Sequence, residues 1–445
     1  MSESIIKSAV DYLKNLPKDK GITLALAWSF NQLAYAIVYP FIPIYLSQER
    51  GMPYTTVSLI FPLMGLATII APLPSGWITD KLGRRFTMLF GQFARGVMFF
   101  ILAYCVFIKA PFWLFAIILM INTSVGITFQ VGADAYLADI TTPDERQSYF
   151  GKIRIGFNIG WALGPMIGAF FAKTPFWLFF IITGILCLIG TVYTQVACFS
   201  KSASNGIRKE TVKQEKSEVE VNIFDAVFKN PKFLLLVSGT FFLTLLVSQL
   251  YSTLSIYSTK CLQISRESLG SIYSLNGTLV LALQIPVVML FKKIKCPVTI
   301  QLMIGVIIYI MGYLSIIPCS TALAVAFAVS IITIGEITVQ PALYSSISNC
   351  TNQNNAGRLL SIYSLMRGIS VSVGPWFGAQ LLEKYNSPLI LWGGLSSFAA
   401  IAAILFAFTK SKTPPGYQLS STPPPKRCVV SPSESTQENK SEKNC

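Results

Sequence analysis

The sequence predicts an all-α membrane protein with twelve transmembrane helices arranged as two pseudo-symmetric halves of six. Three observations predict this fold class. Of the 445 residues, 53% are hydrophobic and only 12% are charged, whereas about 25% of the residues in a soluble domain are charged. Twelve apolar stretches are each long enough to cross roughly 30 Å of hydrocarbon as a helix. The first six stretches and the last six also share an internal sequence repeat.

The elements follow in chain order. Residues 1–20 carry lysines but no apolar core of a cleaved signal peptide, and we interpret them as a cytoplasmic segment. Residues 21–199 form the first half, 200–232 a charged cytoplasmic linker, 233–409 the second half, and 410–445 a Pro- and Ser-rich disordered tail. The predicted spans are 22–46, 57–79, 86–108, 111–138, 150–172, 175–199, 233–257, 268–291, 297–317, 321–348, 359–382 and 388–409.

The distribution of basic residues predicts the orientation of the chain, because Lys and Arg accumulate in cytoplasmic loops. With the N-terminus inside, 27 of the 35 basic residues fall in cytoplasmic segments and 6 fall outside. An even number of spans then places both termini in the cytoplasm. We expect a multi-pass protein of the lipid bilayer, acting as a monomer, with the plasma membrane as its location.

The two halves repeat each other at an offset of 210 residues. This offset aligns Gly164-Pro165-x-x-Gly168-Ala169 with Gly374-Pro375-x-x-Gly378-Ala379 and places Gln130 on Gln340. Duplicated halves are typical of secondary transporters, which bind a small-molecule substrate between the halves near the bilayer midplane.

Composition excludes several other classes of protein. The net charge of +15 is spread between apolar stretches, whereas nucleic-acid-binding proteins gather basic residues on one face. Histidine is absent, which excludes a histidine-liganded metal or a histidine base. No nucleophile constellation, metal-ligand cluster or phosphate loop appears, so we expect no enzyme activity, no metal, no cofactor and no use of ATP. A disulfide between Cys261 and Cys319 is conceivable, since both follow predicted outward ends of spans.

The loop between spans 2 and 3 reads Gly76-Trp-Ile-Thr-Asp80-Lys-Leu-Gly83-Arg84-Arg85 and resembles the signature loop of the major facilitator superfamily. Gly83 permits a turn with positive φ, and the arginines favour a cytoplasmic loop. Asp80 ends its own helix at the unfavourable negative pole and therefore needs a partner elsewhere. The resemblance implies that Asp80 contacts the N-terminus of span 11 and locks the outward-facing state. It also implies that Asp139 pairs with Arg84 or Arg85.

Span 5 carries Gly156, Gly160, Gly164, Pro165 and Gly168. Glycines at steps of four form one ridge on which another helix can pack backbone to backbone, and Pro165 bends the span. The pattern resembles the antiporter signature of drug-exporting members of the superfamily. The same residues also fit an ordinary small-residue packing face.

One departure limits what the resemblance implies. Proton-coupled exporters of the superfamily carry an arginine in span 4, four residues before a glycine. Here Gly126 is present, but the earlier position is Asn122. Proton coupling through that arginine is therefore not available to this chain.

Ionisable side chains inside the predicted spans are the first candidates for function, because a charge in hydrocarbon costs at least about 2.5 kcal/mol. Glu336 in span 10 has no acidic counterpart in the first half and is the candidate site where protons and a cation compete. The alternative is an ion pair between Glu336 and Arg367. Asp134 is interpreted as interfacial. Arg95 is interpreted either as a charge-relay partner or, with a slight preference, as a snorkelling anchor.

Polar and aromatic side chains on the central spans are the candidate substrate contacts. Each of them can equally serve as a hydrogen bond between helices. They are Asn31, Gln32, Tyr35, Tyr39, Gln130, Asn158, Gln249, Tyr251, Asn276 and Gln340.

The sequence therefore predicts alternating-access transport of a small organic solute, in the form of proton-coupled efflux of drug-like or amphiphilic compounds. Uptake or facilitated diffusion of a sugar, carboxylate or amino acid is one alternative. A receptor that binds a ligand on the same fold without transporting it is another.

Overall fold

The computed structural model describes residues 19–171, 173–199, 230–348, 350, 356–385 and 387–409. Most of the predicted linker, the first 18 residues and the predicted tail lie outside these ranges, as do the side chains of residues 143–148, 348 and 356–358. Helices of eleven or more residues number twelve within them, and the described residues form no strand. They are α1 (Lys20–Val38), α2 (Ile60–Ile70), α3 (Pro72–Phe107), α4 (Phe112–Ile140), α5 (Pro143–Phe170), α6 (Phe176–Tyr193), α7 (Pro231–Val247), α8 (Arg266–Lys293), α9 (Val298–Leu314), α10 (Ala322–Ser348), α11 (Ala356–Lys384) and α12 (Pro388–Ala407).

The first helix of each half ends in an irregular continuation. After α1 the chain passes through a 3₁₀ turn at Tyr39–Phe41 and a π turn at Tyr45–Glu49. After α7 it passes through a short helix at Thr253–Ile256 and a π turn at Tyr257–Cys261. Prolines 40 and 43 interrupt the helical hydrogen bonds after α1, because proline has no backbone N–H.

Several helices differ in extent from the predicted spans. The end of predicted span 2 and the whole of span 3 form one element, α3, which bends at Gly83. The fifth helix begins at Pro143, seven residues before the predicted start. Predicted span 7 is not continuous, since α7 ends at Val247. Hydropathy reports the residues that enter hydrocarbon, whereas helices continue into water wherever their backbone hydrogen bonds are satisfied.

Length and apolar composition identify seven segments among the described residues as able to cross a membrane. Together they contain predicted spans 1 to 4, 6, 8, 10 and 12, with Tyr54–Phe107 holding two of them. Helices α7 and α9 are apolar but have only 17 residues each. The remaining predicted spans correspond to α5 and α11.

The helices of the two halves pack in matching pairs. In the first half α1 packs on α5 and α6, α3 on α4 and α6, and α2 on α4. Adding six to each number gives the pairs of the second half, in which α7 packs on α11 and α12, α9 on α10 and α12, and α8 on α10. The halves meet where α5 packs on α8 and α2 on α11. The chain is thus two six-helix bundles of the same architecture.

One helix, α5, takes part in both kinds of packing through different faces. Its glycine ridge lies against α1: a Cβ added at Gly156 would lie 2.2 Å from the carbonyl oxygen of Ala25. Its other face lies against α8, where a Cβ added at Gly277 would lie 2.4 Å from the Cα of Ala162. The glycines therefore hold α5 within its own half, and small residues on the opposite face form the contact between the halves.

An ion pair fastens α1 to α5 at the end that carries Lys20. Asp19 caps α1 by accepting a hydrogen bond from the backbone N–H of Gly21 at 2.8 Å, and Lys152 of α5 pairs with the same carboxylate. The hydrogen bond from Lys152 is the main reason why the pKa of Asp19 is lowered. Asp19 thus both starts α1 and joins it to its neighbour.

Candidate functional site

A cavity of about 960 Å³ lies between the two halves. Helices α1 to α4 line it from the first half, and the first half of α11 lines it from the second. Its wall runs from Tyr35 and Tyr39 to Leu73, which is 80% exposed and precedes Gly83 by about three helical turns. The cavity therefore extends toward the end of the bundle that carries Gly83 and Lys20. That end is the predicted cytoplasmic side.

Contacts between the halves close the opposite end of the bundle. Arg266 at the start of α8 pairs with Glu49 at the end of the first span, with 2.6 Å between nitrogen and oxygen. Glu383 at the end of α11 accepts hydrogen bonds from the backbone N–H of Tyr54 and, at 2.7 Å, from the hydroxyl of Thr55. A cavity open at one end and closed at the other is the arrangement of one state of an alternating-access carrier.

Four aromatic side chains from both halves meet beside the cavity, and two of them, Tyr35 and Tyr39, line it. Tyr35 stacks on Tyr39 with 4.8 Å between ring centroids, and both contact the ring of Trp161 on α5 at 6.0 Å. Trp161 in turn contacts Tyr251, which follows α7, at 5.0 Å. We call Tyr35, Tyr39, Trp161 and Tyr251 the aromatic cluster.

Glu336 of α10 is connected to the aromatic cluster by hydrogen bonds. The hydroxyl of Tyr251 donates to the amide oxygen of Asn276 at 2.7 Å. The amide nitrogen of Asn276 donates to the hydroxyl of Thr333 at 2.8 Å and to the Glu336 carboxylate at 3.4 Å. The carboxylate thus stands one side chain behind the aromatic cluster and is held by a neutral donor.

The predicted alternative, an ion pair between Glu336 and Arg367, is not formed. Among the described residues no basic nitrogen lies within 4.0 Å of the Glu336 carboxylate. Arg367 lines the cavity instead. Both Arg367 and Arg154 of α5 act on Glu336 electrostatically from a greater distance.

Arg95 of α3 points into the first half, and the slight preference for a snorkelling anchor is wrong. Arg95 is only 3% exposed. One guanidinium nitrogen donates to the side-chain oxygen of Asn31 at 2.8 Å, and the group lies 5.3 Å from the ring centroid of Tyr35. An anchor would extend to the lipid headgroups, whereas this side chain is held by the core of its own half.

The signature loop has the predicted turn and one of the predicted ion pairs. Gly83 has φ of 85° and ψ of 161°. Arg84 pairs with Asp139 of α4 at 2.8 Å, while Arg85 donates to the side chain of Gln195 at 3.1 Å. Asp80 is exposed and makes no ion pair with the basic side chains that the structure describes, which do not include those of residues 351–358. The contact that the resemblance implies between Asp80 and the N-terminus of span 11 falls on those residues and stays a prediction.

The predicted cavity residues separate into three groups. Tyr35, Tyr39 and Gln130 line the cavity, and Tyr251 and Asn276 join the aromatic cluster to Glu336. Asn31, Gln32 and Gln249 are buried in contacts between helices, which is the alternative role predicted for these side chains. The amide nitrogen of Gln249, for example, donates to the backbone carbonyl of Gly374 at 2.8 Å. Such amides satisfy backbone groups that packed helices leave open.

The remaining predicted residues take no part in this arrangement. Asn158 is half-buried, and the half-buried Gln340 lies beside the Tyr309 hydroxyl. Asp134 is exposed and forms no ion pair with the basic side chains that the structure describes, which do not include Arg146. Cys261 and Cys319 are free thiols, so the conceivable disulfide is not formed.

Three functional candidates were missed by sequence reasoning. Trp161 supplies the centre of the aromatic cluster, and its only sequence signal is its place directly after Gly160 on the ridge that packs against α1. Arg154 was counted with the cytoplasmic charges although it acts on Glu336. Glu383 was not considered, because its partners Tyr54 and Thr55 lie 328 or more positions away in the chain.

Comparison with known proteins places these features in context. A sequence profile of the Major Facilitator Superfamily matches residues 24–375. The transporter YqjV of Bacillus subtilis, described as an uncharacterized MFS-type transporter, is 24% identical over 87% of this chain and 92% of its own. The Tetracycline resistance protein, class H, of Pasteurella multocida is also 24% identical, over 87% of this chain and 93% of its own.

A solved structure shows the same arrangement of helices. The crystal structure of a point mutant of the nucleoside transporter NupG superposes with a TM-score of 0.71 and covers 88% of this chain and 100% of its own. Only 11% of the aligned residues are identical, so the likeness concerns the fold alone.

Proposed function

This chain belongs to the major facilitator superfamily, and we propose that it exports drug-like or amphiphilic organic solutes by alternating access in exchange for protons. As a member of that superfamily it is a multi-pass membrane transporter and not an enzyme. The exchanged ion, the direction of transport and the class of solute are parts of the proposal. So are a plasma-membrane location, cytoplasmic termini and action as a monomer.

The position of Glu336 is the observation that carries the proposal. A carboxylate held by Asn276 and free of an ion pair can take up a proton and can also attract a cation. An ion pair with Arg367 would have fixed the carboxylate in its charged form. Because one group serves both the proton and the solute, release of one favours binding of the other.

The aromatic cluster supports an amphiphilic cation as the solute. Tyrosine and tryptophan rings attract a cation through their negative faces, and Trp161 and Tyr251 stand between the cavity and the Asn276 amide. The volume of about 960 Å³ falls at the upper end of the range for small-molecule sites. The name of the tetracycline resistance relative supports export over uptake.

Flux in proteoliposomes under an imposed pH gradient tests the coupling. Internal pH is followed with a dye while fluorescent lipophilic cations are supplied, for the wild type and for Glu336→Gln. We expect proton movement linked to cation flux in the wild type and loss of this linkage in the variant. The glutamine amide cannot take up the proton and carries no negative charge to attract the cation.

Glu267→Gln is the matched control. Glu267 lies at the outer end of α8, and its ion pair with Lys173 is long, at 3.9 Å. The control removes the same charge outside the cavity and should transport like the wild type. Unchanged coupling in Glu336→Gln would refute the role of this carboxylate. Saturable binding without flux in the wild type would favour the receptor.

A further inference from the structure

Arg95 is a buried cation without a negative partner among the described residues. Its guanidinium donates to the backbone and side-chain oxygens of Asn31 at 3.3 and 2.8 Å. Its Nε is buried and has no acceptor. A buried charge is costly unless an opposite charge compensates it. The first half therefore holds an uncompensated positive charge.

The surrounding helices are shaped to hold this guanidinium in place. On α4, a Cβ added at Gly126 would lie 2.8 Å from the Cζ of Arg95. Asn122, one turn earlier, donates to the Arg95 backbone carbonyl at 3.2 Å. Asn31 on α1 is itself fixed by a 2.7 Å hydrogen bond to Gln92. Three helices thus fix a charge that no protein carboxylate among the described residues neutralises.

This charge lies directly behind the cavity wall. Tyr35 and Thr123 line the cavity, Tyr35 has the guanidinium 5.3 Å from its ring centroid, and Thr123 follows Asn122. At the other end of the aromatic cluster, through Trp161, Tyr251 and Asn276, stands the Glu336 carboxylate. The two halves therefore hold opposite charges behind opposite ends of the aromatic cluster, whose Tyr35 and Tyr39 line the cavity.

We infer that the transported solutes are zwitterions with an aromatic body, a cationic group that meets Glu336 and a carboxylate that lies against Tyr35 and Thr123. Arg95 is a positioning residue for this carboxylate, since it acts through Tyr35 and across a low-dielectric wall. The inference rests on the proposed function for the cationic group. It adds the second charge, which that function does not require.

Two fluorescent dyes that differ at one group test the inference. Rhodamine 110 carries a free carboxylate opposite its cationic ring system, and rhodamine 123 is the methyl ester of the same molecule. Binding of each dye to the purified full chain in detergent is followed by fluorescence polarisation. The measured quantity is the ratio of the two dissociation constants, which a general loss of structure would not shift.

Substitution of Arg95 should change this ratio selectively. In Arg95→Gln we expect the affinity for rhodamine 110 to fall about fivefold or more relative to rhodamine 123, as the loss of one screened charge interaction predicts. Arg95→Lys keeps the charge and should restore the wild-type ratio. Lys292→Gln, which removes an exposed charge near the end of α8, should leave it unchanged. Glu336→Gln should weaken both dyes by similar factors.

The outcomes separate this inference from the proposed function. Binding of both dyes with a ratio that Arg95→Gln does not alter would overturn the carboxylate subsite and leave the cation site standing. Binding of rhodamine 123 without binding of rhodamine 110 would also overturn the carboxylate subsite and leave the cation site standing. If the wild type bound neither dye, both the subsite and the proposed recognition of amphiphilic cations would be wrong. If Arg95→Gln lost its fold, Gly126→Ala would replace it, because the added methyl group crowds the guanidinium without removing its charge. We expect this variant to lower the affinity for rhodamine 110 relative to rhodamine 123.

Discussion

Gly83 occupies a backbone conformation that other residues rarely adopt. Its φ of 85° with ψ of 161° lies in a region that is essentially restricted to glycine. Gly76 in the same loop differs: its φ is ordinary, and no atom lies within 4 Å of an added Cβ. The two glycines of one signature therefore have different structural requirements in this state.

Alanine at the two positions should separate these requirements. We expect Gly83→Ala to destabilise the protein by about 1 to 3 kcal/mol because of its backbone conformation, and Gly76→Ala to change stability little. The measurement is thermal unfolding of both variants in the same detergent. Equal loss in both variants would show that the loop does not depend on the turn at Gly83.

The residues that the sequence placed well are those whose role follows from their own chemistry. Gly83 supplies a positive φ and Glu336 is a carboxylate within a predicted span, and both facts can be read from the sequence. The direction of Arg95 is not visible there, because a span with arginine has the same hydropathy whether the side chain faces lipid or core. The partners of Glu336 were missed for a similar reason, since Asn276 could bond to many groups.

At the scale of elements, the contact between α1 and α5 leaves no space for side chains. A Cβ added at Gly156 would lie 2.2 Å from the backbone oxygen of Ala25, and one added at Gly164 would lie 2.4 Å from the Cβ of Ala36. A backbone atom or an alanine Cβ cannot move aside as the end of a flexible side chain can. Gly151, little more than one turn before Gly156 on the same helix, has open space instead.

A methyl group on the ridge should therefore be costly only where the helices touch. We expect Gly156→Ala to lower the unfolding free energy by about 1 to 3 kcal/mol through overpacking, and Gly151→Ala to leave it unchanged or raise it slightly. Thermal unfolding monitored by intrinsic fluorescence distinguishes them. A stable Gly156→Ala variant would mean that α1 and α5 are less closely packed than described.

The same ridge shows what could be predicted about elements. Glycines at steps of four predicted a close helix contact, and the structure confirms it, with α1 as the partner. The sequence did not identify α1, because a ridge records its own face and not the helix that covers it. The start of α5 at Pro143 was also missed, because a polar first turn of a helix does not have the hydropathy of a membrane segment.

For the whole molecule, the closed end rests on few polar contacts. Glu49 and Glu383 each join the two halves, and the pair of Lys173 with Glu267 is long and its lysine 88% exposed. We expect the double variant Glu49→Gln, Glu383→Gln to favour opening at this end. The matched control is Lys173→Gln, which removes an exposed partner and should have no effect.

Distances between spin labels measure this opening. Labels at Gln48 and Lys260 sit on the π turns that end the first span of each half, in a background with the native cysteines replaced by serine. The double variant should populate a longer distance than the wild type or Lys173→Gln. An unchanged distribution would show that other contacts between the halves, such as the helix packing at Ala162 and Gly277, keep this end closed.

The overall architecture was the most predictable level. Duplication at a fixed offset predicted two equivalent halves, and their helix pairs match one for one. Which end of the cavity is open could not be predicted, because one sequence must encode both states. The difference between the states resides in contacts such as those of Glu383, which are made in one state and broken in the other.

The weakness of those contacts sets the thermodynamic balance between the states. Exposed ion pairs contribute about 0 to 1 kcal/mol each, so these polar contacts add only a shallow preference for the closed outer end. A solute that binds one state ten times more tightly than the other stabilises that state by about 1.4 kcal/mol. This is comparable to the free energy that these polar contacts contribute together. Occupancy of the cavity can therefore redistribute the populations of the carrier without any dedicated trigger.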